Sequence, residues 1–516
     1  MYRISNIYVL AAFGTIGGAL FGFDISSMSA WIGAEQYLEY FDHPDSNLQG
    51  GITASMSAGS FVGALGAGYL SDMMGRRYAI VVAAIIWIVG SVVSLSAQNV
   101  GHLIAGRVIN GLSVGIMSSQ VPVYLAELSP KNIRGRVVGI QQWAIEWGIL
   151  IMYLISYGCT FIDGPAAFRT AWGIQAIPAL ILIGALFFFP ESPRWYASKD
   201  RWEEALDTLA LLHGNGDINN PLVQAEYEEV REAQQIAAQG KAMSWLGLFG
   251  PTMWRRTTAA LAAQIWQQLL GGNVMMYYIV YVFQMAGLTG NINLVSSSVQ
   301  YVIFLVTTAI TLLFIDRLGR RPLFIYGAIA MGSLNFAVAG LMKTGGHSVT
   351  NVADNYNIKW QVEGSYATGV IACSYLFVAF YGLTWAPCAW VFISEIFPLQ
   401  YRAKGVGLAT AANWIFNFAL AYFVPPAFKN IQWRTYIMFG VFCFCGVAHS
   451  FFMFPETAGK TLEEIDYLFG KGIPAWKSAK VNSRLDEKVG DLENNKPGHD
   501  DGQSEKGAAT TVESSH

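Results

Sequence analysis

Apolar stretches of about 20 residues recur along nearly the whole chain, and a helix of that length crosses the ~30 Å hydrocarbon core of a lipid bilayer. Only 13% of the 516 residues are charged and 53% are hydrophobic, whereas soluble proteins carry about 25% charged residues. The sequence therefore predicts an all-α membrane protein with twelve transmembrane helices. We number these helices as spans 1 to 12 and place them at residues 6–29, 50–71, 78–98, 102–126, 135–158, 170–189, 257–285, 294–315, 322–342, 366–395, 404–427 and 435–454.

Basic residues in the short loops predict the orientation of the chain in the membrane. The loops after spans 2, 4, 8 and 10 carry basic residues, whereas the loop after span 1 has four acidic residues and no Lys or Arg. Short loops with an excess of Lys and Arg stay in the cytoplasm. We therefore expect both termini to be cytoplasmic. The basic loop residues are Arg76, Arg77, Lys131, Arg134, Arg136, Arg317, Arg320, Arg321, Arg402 and Lys404.

Other functional classes find no support in the sequence. The five cysteines lie in or at the ends of predicted spans, so we expect neither a disulfide framework nor a metal site. The sequence has no nucleophile–base constellation, metal cluster or phosphate-binding loop, so we expect no catalytic residue and no enzyme. A net charge of −3 and the lack of a basic patch do not indicate nucleic-acid binding. We expect the chain to work as a monomer in the lipid bilayer.

Three local patterns occur once in each half of the chain. DMMGRR at Asp72–Arg77 recurs as DRLGRR at Asp316–Arg321, and ELSPKNIR at Glu127–Arg134 recurs as EIFPLQYR at Glu395–Arg402. PESPR after span 6 is echoed by PETAGK after span 12. Parallel repeats of this kind enclose a central path, so the sequence predicts two six-helix bundles. The expected units are an N-terminal bundle (1–190), a cytoplasmic linker of short amphipathic helices (191–256), a C-terminal bundle (257–455) and a largely disordered cytoplasmic tail (456–516).

The repeated patterns place charged residues at the cytoplasmic ends of helices. A Gly between the Asp and the Arg pair permits a tight turn, and Glu and Arg stand seven residues apart in both copies of the second pattern. We expect the Glu and the Arg of each copy to pair and to hold the inner side shut. The alternative is that the Arg residues only set the topology. The predicted gating residues are Asp72, Arg76, Arg77, Glu127, Arg134, Asp316, Arg320, Arg321, Glu395 and Arg402.

Nine motifs follow one another along the chain: GGALFGFD, DMMGRR, GRVINGLSVG, PVYLAEL, PESPRW, QQLLGGNVMMYY, DRLGRR, SEIFP and PETAGKTLEEID. Together they resemble the sugar porter family of the major facilitator superfamily over about residues 7–470. The stretches DISSMS, GGITASM, NVMMYYIVYVF and CSYLFV are most similar to the fungal high-affinity glucose and monosaccharide transporters. The resemblance implies twelve helices in two bundles, a central hexose or pentose site and, in many members, proton coupling.

A sugar is neutral, covered with hydroxyl groups and apolar on its C–H faces, so its site needs amide groups and aromatic rings. Span 7 offers Gln264 and Gln268 on one helical face, and Gly271–Gly272 is expected to loosen the helix after them. The resemblance implies a sugar site formed by Gln142, Gln267, Gln268, Asn273, Trp390 and Asn413, with Trp414, Phe21 and Tyr277 around the cavity.

Two positions depart from the family pattern. Relatives commonly have a sugar-binding Asn twelve residues before Asp316, where this chain has Phe304, so we expect one hydroxyl contact to be lost. Glu146 stands one turn after Gln142, where relatives usually have an apolar or small residue. Three possibilities stay open for its carboxyl group: it bonds a sugar hydroxyl, it takes part in proton handling, or it is protonated and inert.

Asp24 lies inside span 1 with no basic residue nearby in sequence, and a charge near the bilayer centre costs about 2.5–3.5 kcal/mol. Arg107 in span 4 is its expected partner, because both spans carry glycines at a spacing of four that suits close helix packing. These glycines are Gly14, Gly18 and Gly22 in span 1, and Gly111 and Gly115 in span 4. Protonation of Asp24 would free Arg107, so the pair predicts proton coupling.

These features predict proton-coupled uptake of a monosaccharide, either glucose or another hexose or xylose, across the plasma membrane by alternating access. Protons are the coupling ion, and we expect no other cofactor. Two alternatives stay open. In facilitated diffusion, Asp24 and Arg107 form a fixed ion pair. A non-transporting sugar sensor would have the same fold and the same site.

Overall fold

The computed structural model describes residues 4–29, 31, 35–42, 46–159, 161–238, 245–288, 290–350, 358–398 and 400–480. Helices occupy all twelve predicted spans, and ten helical stretches of the described residues have the length and hydropathy that a membrane crossing requires. The N-terminal bundle consists of Ile7–Gly14 with Ile16–Ser29 (span 1), Ser46–Met74, Arg76–Leu95, Val100–Leu128, Arg134–Cys159, and Ala166–Ile174 with Ile177–Leu186 (span 6). The C-terminal bundle consists of Trp254–Leu269, Gly272–Tyr277 and Ile279–Met285 (span 7), Gly290–Leu318, Arg320–Gly345, Gly364–Leu383 with Trp385–Ile396 (span 10), Arg402–Asn430 and Arg434–Met453.

Glycines allow neighbouring spans to approach until their backbones touch. A Cβ atom on Gly111 would lie 2.2 Å from the carbonyl oxygen of Met56, and one on Gly115 would lie 2.1 Å from that of Ser60. Span 4 therefore packs its glycine face against span 2. A Cβ atom on Gly22 would lie 2.0 Å from the carbonyl oxygen of Ile145 in span 5. The expectation that the glycine faces of spans 1 and 4 pack against each other is wrong, because each face is filled by another helix.

Two spans are interrupted next to candidate site residues. Span 7 breaks at Gly271, which has a positive φ of 94° and follows Gln268 closely, as the Gly271–Gly272 pair predicts. Span 10 breaks at Thr384, where φ is −135° and ψ is −85°, six residues before Trp390. Broken helices of this kind line the substrate sites of many transporters.

Shorter elements connect and flank the bundles. They are Glu35–Tyr40 between spans 1 and 2, Pro193–Ser198, Trp202–His213, Pro221–Ala238 and the 3₁₀ helix Trp245–Phe249 in the linker, and a hairpin of strands Gly346–Ser348 and Trp360–Val362. In the tail, Leu462–Gly470 is helical and begins with a capping box of Thr461 and Glu464. The predicted tail thus begins with this helix and the 3₁₀ helix Ala475–Lys480, and its remaining residues, 481–516, lie outside the described part of the chain, so the prediction that the tail is largely disordered stays a prediction.

Candidate functional site

Five amide side chains of spans 7 and 11 form one buried hydrogen-bonded group, which we call the amide cluster: Gln264, Gln267, Gln268, Asn413 and Asn417. The Nδ2 atom of Asn413 donates to the Oε1 atoms of Gln264 (2.7 Å) and Gln267 (2.8 Å). Its Oδ1 atom accepts from Nε2 of Gln268 at 2.9 Å. Asn417 donates to Oε1 of Gln268 at 3.5 Å. Asn413 thus joins the three glutamines of span 7 to span 11.

The amide cluster extends to the N-terminal bundle through Ser57 of span 2, whose hydroxyl donates to Oδ1 of Asn417 at 2.9 Å. Sequence reasoning missed Ser57 and Asn417 as site residues. Asn417 stands four residues after Asn413, a spacing that places both on one helical face, so this signal was present in the sequence. The sequence gives no comparable signal for Ser57. The side chain of Asn273 lies outside the described residues.

A second polar chain links the two bundles through span 5. Nε1 of Trp390 donates to Oε1 of Gln142 at 3.1 Å, and Nε2 of Gln142 donates to Oε1 of Glu146 at 3.1 Å. The same Glu146 oxygen accepts from the hydroxyl of Thr308 in span 8 at 2.8 Å. Gln142, Glu146 and Trp390 are therefore brought together as the sequence expected, and Thr308 is a further member that sequence reasoning missed.

Aromatic rings stand beside both polar groups. The rings of Phe21 and Trp414 meet edge to face with their centroids 4.7 Å apart, and Nε1 of Trp414 donates to the Ser118 hydroxyl at 3.2 Å. Phe304 is buried and stacks on Tyr381 with a centroid separation of 5.7 Å. Tyr277, which is partly buried, packs against the hydrophobic core. Rings and amides together provide both kinds of contact that a carbohydrate requires.

Asp24 and Arg107 form a buried, two-pronged ion pair in the N-terminal bundle. Nη2 of Arg107 lies 3.1 Å from Oδ2 of Asp24, and Nη1 lies 3.4 Å from Oδ1. Nε of Arg107 donates to the carbonyl oxygen of Ile52 at 3.0 Å. The structure thus places Arg107 beside Asp24, as expected from the sequence. Phe21, one turn before Asp24, connects this pair to Trp414 of the other bundle.

The loops after spans 2, 4, 8 and 10 lie at one end of the molecule, which we call the basic end. In the N-terminal bundle, Nε of Arg76 lies 3.0 Å from Oε2 of Glu127, and Nη1 lies 3.8 Å from Oδ1 of Asp72. The carboxylate of Glu191, from the PESPR motif, accepts from the backbone N–H groups of Arg76 (3.0 Å) and Arg77 (3.1 Å). Glu191 therefore caps the first turn of span 3, where a carboxylate is favoured by unpaired N–H groups.

The C-terminal bundle repeats this arrangement. Nη2 of Arg320 lies 2.9 Å from Oε1 of Glu395 and 3.0 Å from Oδ1 of Asp316. The carboxylate of Glu456, from the PETAGK motif, accepts from the backbone N–H groups of Arg320 (2.9 Å) and Arg321 (3.1 Å). The sequence shows that the Pro-Glu dipeptide is repeated after spans 6 and 12, but sequence reasoning missed that its glutamate caps span 3 in one half and span 9 in the other.

The expected pairing of Glu127 with Arg134, and of Glu395 with Arg402, is wrong. Glu127 pairs with Arg76 of its own bundle and lies 3.5 Å from Nη1 of Arg402 in the other bundle. Glu395 pairs with Arg320. The side chain of Arg134 donates to main-chain oxygens, among them that of Lys460 at 3.2 Å. The seven residues between Glu and Arg include a turn that separates the two side chains, so each of them bonds to residues of other helices instead.

Several contacts at the basic end join one bundle to the other. Asp316 accepts from the backbone N–H groups of Gly135 (2.9 Å) and Arg136 (2.8 Å). Nζ of Lys404 lies 3.8 Å from Oδ2 of Asp72. Together with the contact between Arg402 and Glu127, these bonds close the basic end, because each of them crosses from one half to the other.

The linker is attached to the end of span 4. The ring of His213 lies between the carboxyl of Glu226 and the carbonyl oxygen of Leu128, with Nε2 2.9 Å from that oxygen. Burial raises the pKa of Glu226, but the charges of His213, Arg194 and Arg134 outweigh burial and hold this pKa below its usual value. The linker helices are therefore bound to the N-terminal bundle next to the gating charges.

The chain matches the family model described as "Sugar (and other) transporter" over residues 10–469. The chain belongs to this sugar transporter family. It is 49% identical over 502 residues to the high-affinity glucose transporter of Kluyveromyces lactis, and the matched region covers 96% of this chain and 91% of that protein. It is 46% identical over 481 residues to high-affinity glucose transporter 1 of Candida albicans, with 92% of this chain and 88% of that protein covered.

Among solved structures, this member of the sugar transporter family is similar to the proton:xylose symporter XylE of E. coli bound to 6-bromo-6-deoxy-D-glucose. The TM-score is 0.78 at 27% identity, with 91% of this chain and 100% of that chain covered. The prediction of a major facilitator fold is confirmed by this likeness. The family moves sugars across membranes, so the chain is a membrane transporter and not an enzyme.

Proposed function

We propose that this protein carries a monosaccharide, glucose in the first place, into the cell together with a proton. The relatives named above are glucose transporters and a proton:xylose symporter, which supports a sugar of this class. The observation that supports proton coupling is the buried pair of Asp24 and Arg107. A carboxylate in this position can take up a proton and give up its bond to arginine.

In the proposed cycle the sugar lies between the amide cluster of the C-terminal bundle and Gln142 with Trp390. Amides can donate to and accept from hydroxyl groups at the same time, and the Trp390 ring offers a face for the C–H groups. A proton that reaches Asp24 removes its negative charge and releases Arg107 to other partners. That change favours the rearrangement in which the contacts at the basic end open and the sugar leaves.

We further propose that the protein lies in the plasma membrane with its basic end facing the cytoplasm. This orientation places both termini inside the cell. The basic loops support this orientation. The protein acts as a monomer, with the proton as its coupling ion and no other cofactor. The gating residues at the basic end hold the inner side closed while sugar and proton enter from outside.

The test is the uptake of radiolabelled glucose by transport-deficient cells, with and without a protonophore. We expect the wild type to accumulate glucose above the outside concentration, and the protonophore to abolish this accumulation. Asp24→Asn keeps the size of the side chain but cannot carry the charge, so this variant should only equilibrate glucose. Asp163→Asn, which changes an exposed aspartate, is the matched control and should accumulate glucose normally.

Facilitated diffusion is the second candidate. It is favoured by the fully satisfied geometry of the pair, in which both oxygens of Asp24 contact Arg107, as a fixed structural ion pair would. If wild type and Asp24→Asn both equilibrate glucose and neither accumulates it, the protein is a facilitator and the coupling proposal is wrong.

A further inference from the structure

Glu146 differs from every other carboxyl group in the described parts of the twelve spans. Each of the five others in these described parts has an arginine within 4 Å: Asp24, Asp72, Glu127, Asp316 and Glu395. Glu146 is just as buried, with 1% of its surface exposed, but its neighbours are the neutral Gln142 and Thr308. A structural role in charge pairing therefore does not explain this residue.

The two oxygens of Glu146 are used unequally. Oε1 accepts two hydrogen bonds, from Gln142 at 3.1 Å and from Thr308 at 2.8 Å. Oε2 is buried and has no hydrogen-bond partner among the described residues. A buried oxygen without a partner is unfavourable, so such an atom in a binding site indicates a group that arrives with the ligand.

The position of the Glu146 carboxyl group is fixed by the hydrogen bonds of Oε1. The Glu146 carboxyl is bonded to Gln142, which is bonded to Trp390, and both of these residues belong to the proposed sugar site. Thr308, on the other side, belongs to span 8 of the opposite bundle. A sugar bound between the bundles at Gln142 would therefore lie next to the Glu146 carboxyl group, whose Oε2 is free to bond it.

The apolar surface beside Glu146 suits the same ligand. Phe304 stands one turn before Thr308, and both contact the position of Gly382: a Cβ atom there would lie 3.0 Å from the Phe304 ring and 3.1 Å from the Thr308 hydroxyl. The Phe304 ring stacks on Tyr381 and has no polar atom. In this corner, then, Glu146 and Thr308 offer the polar contacts and Phe304 offers an apolar face, which matches the edge of a pyranose ring.

We propose that the Oε2 atom of Glu146 hydrogen-bonds one hydroxyl group of the transported sugar and thereby selects among monosaccharides. This inference rests on the proposed function. The carboxyl can accept from the hydroxyl when ionised or donate to it when protonated, and in either form it distinguishes a sugar with this hydroxyl from one without it. Glu146 is a specificity-determining residue in this proposal, and proton coupling remains with Asp24.

The experiment compares glucose with its monodeoxy derivatives, each lacking one hydroxyl, as inhibitors of radiolabelled glucose uptake. In the wild type, one derivative should bind about 10-fold more weakly than glucose because Oε2 loses its partner. In Glu146→Leu, glucose itself should bind about 10-fold more weakly, and the same derivative should show no further loss. The ratios for the other derivatives should stay as in the wild type.

Two further variants make the result specific. Glu146→Gln has the same size and places an amide group at the carboxyl position, so it should change the ratio for that one derivative even if Glu146→Leu does not reach the membrane. Thr308→Val removes a bond to Oε1 and leaves Oε2 in place. It should weaken all sugars alike and preserve the ratios.

Three outcomes would overturn the inference. Unchanged ratios in both Glu146 variants, with normal wild-type uptake, would show that Oε2 does not contact sugar. Glu146→Gln that binds every sugar normally but no longer accumulates glucose would make Glu146 a proton carrier instead. A wild type that takes up no monosaccharide would overturn the proposed function and this inference with it.

Discussion

The two bundles carry the same charged device at the basic end but differ in the membrane interior. At the basic end, Arg76 and Arg320 each bond a carboxylate of the neighbouring span, and Glu191 and Glu456 each cap the following helix. In the interior, the N-terminal bundle contains a buried ion pair between spans 1 and 4, whereas the C-terminal bundle contains the neutral amide cluster between spans 7 and 11.

This difference indicates a division of labour between the halves. Opening and closing of the path needs the same bonds at both halves, so a repeated sequence suffices for the basic end. Binding a proton requires a group that changes its charge, and binding sugar hydroxyls requires groups that donate and accept while neutral. The proposed function therefore places the proton in one half and most sugar contacts in the other.

The strongest test of this division removes the arginine of the ion pair. Arg107→Leu leaves Asp24 buried without a cation, which destabilises a protein by about 3–5 kcal/mol. We expect a correspondingly large fall in the melting temperature of the purified transporter. The double variant Asp24→Asn/Arg107→Leu should regain much of the loss, because no buried charge is left unpaired.

The matched change in the other half is Gln268→Leu. It removes the bond to Asn413 but uncovers no charge, so it should cost only about 1–3 kcal/mol. The comparison between the halves fails if Arg107→Leu is no less stable than Gln268→Leu, or if the double variant is no more stable than Arg107→Leu.

A smaller effect is expected where the halves are alike. Gly75 and Gly319 have φ values of 96° and 84°, and a Cβ atom on either would lie 2.4 Å from Oε2 of its capping glutamate, Glu191 or Glu456. Gly75→Ala and Gly319→Ala should each destabilise the protein by about 1–3 kcal/mol, because backbone strain and the contact with the cap add up.

The control for these glycines is Gly66→Ala in span 2, where an added Cβ atom meets nothing within 4 Å, and it should leave the melting temperature unchanged or raise it slightly. Equal losses for Gly75→Ala and Gly319→Ala would support equivalence of the two copies. A loss at one glycine only would show that the repeated motifs have diverged in function.

The sequence was sufficient to predict the twelve helices, the two repeats and the pairing of Asp24 with Arg107. Each of these follows from local hydropathy, from self-similarity or from a single unpaired charge. The partner of Glu127 was not predictable in this way, because Arg76 and Arg402 are distant in sequence and the choice depends on how helices from both bundles meet. For the same reason, the glycine spacing indicated that span 1 and span 4 each pack closely against another helix, but it did not indicate which helix.

The candidate site shows the same limit. The glutamines of span 7 and Asn413 were identified from the resemblance and from the amide chemistry, but their bonds to one another depend on the break at Gly271 and on the position of span 11. The unequal use of the Glu146 oxygens depends on Thr308 of span 8, which no sequence pattern connects with span 5. A carboxyl group in a span was visible in the sequence, whereas its free oxygen was visible only in the structure.

The smallest expected effect concerns Phe304, which gives the C-terminal bundle an apolar surface opposite Glu146. Phe304→Asn adds an amide near Thr308, and one additional neutral hydrogen bond contributes about 1 kcal/mol. We therefore expect the ratio of glucose to xylose uptake to change by roughly fivefold, which competition assays measure directly. Phe304→Leu, which removes the ring without adding an amide, separates the loss of stacking from the gain of a hydrogen bond.

If Phe304→Asn and Phe304→Leu change the ratio equally, the amide is not the cause, and if neither changes it, Phe304 does not line the site. If the amide does bind a hydroxyl, the C-terminal bundle has gained a contact that Glu146 makes from the N-terminal bundle. Removing Glu146 in the Phe304→Asn background should then weaken glucose binding less than it does in the wild type. Such a result would show that the same sugar contact can be made from either half, whereas the proton site, which needs a buried charge and its arginine, cannot be moved by one substitution.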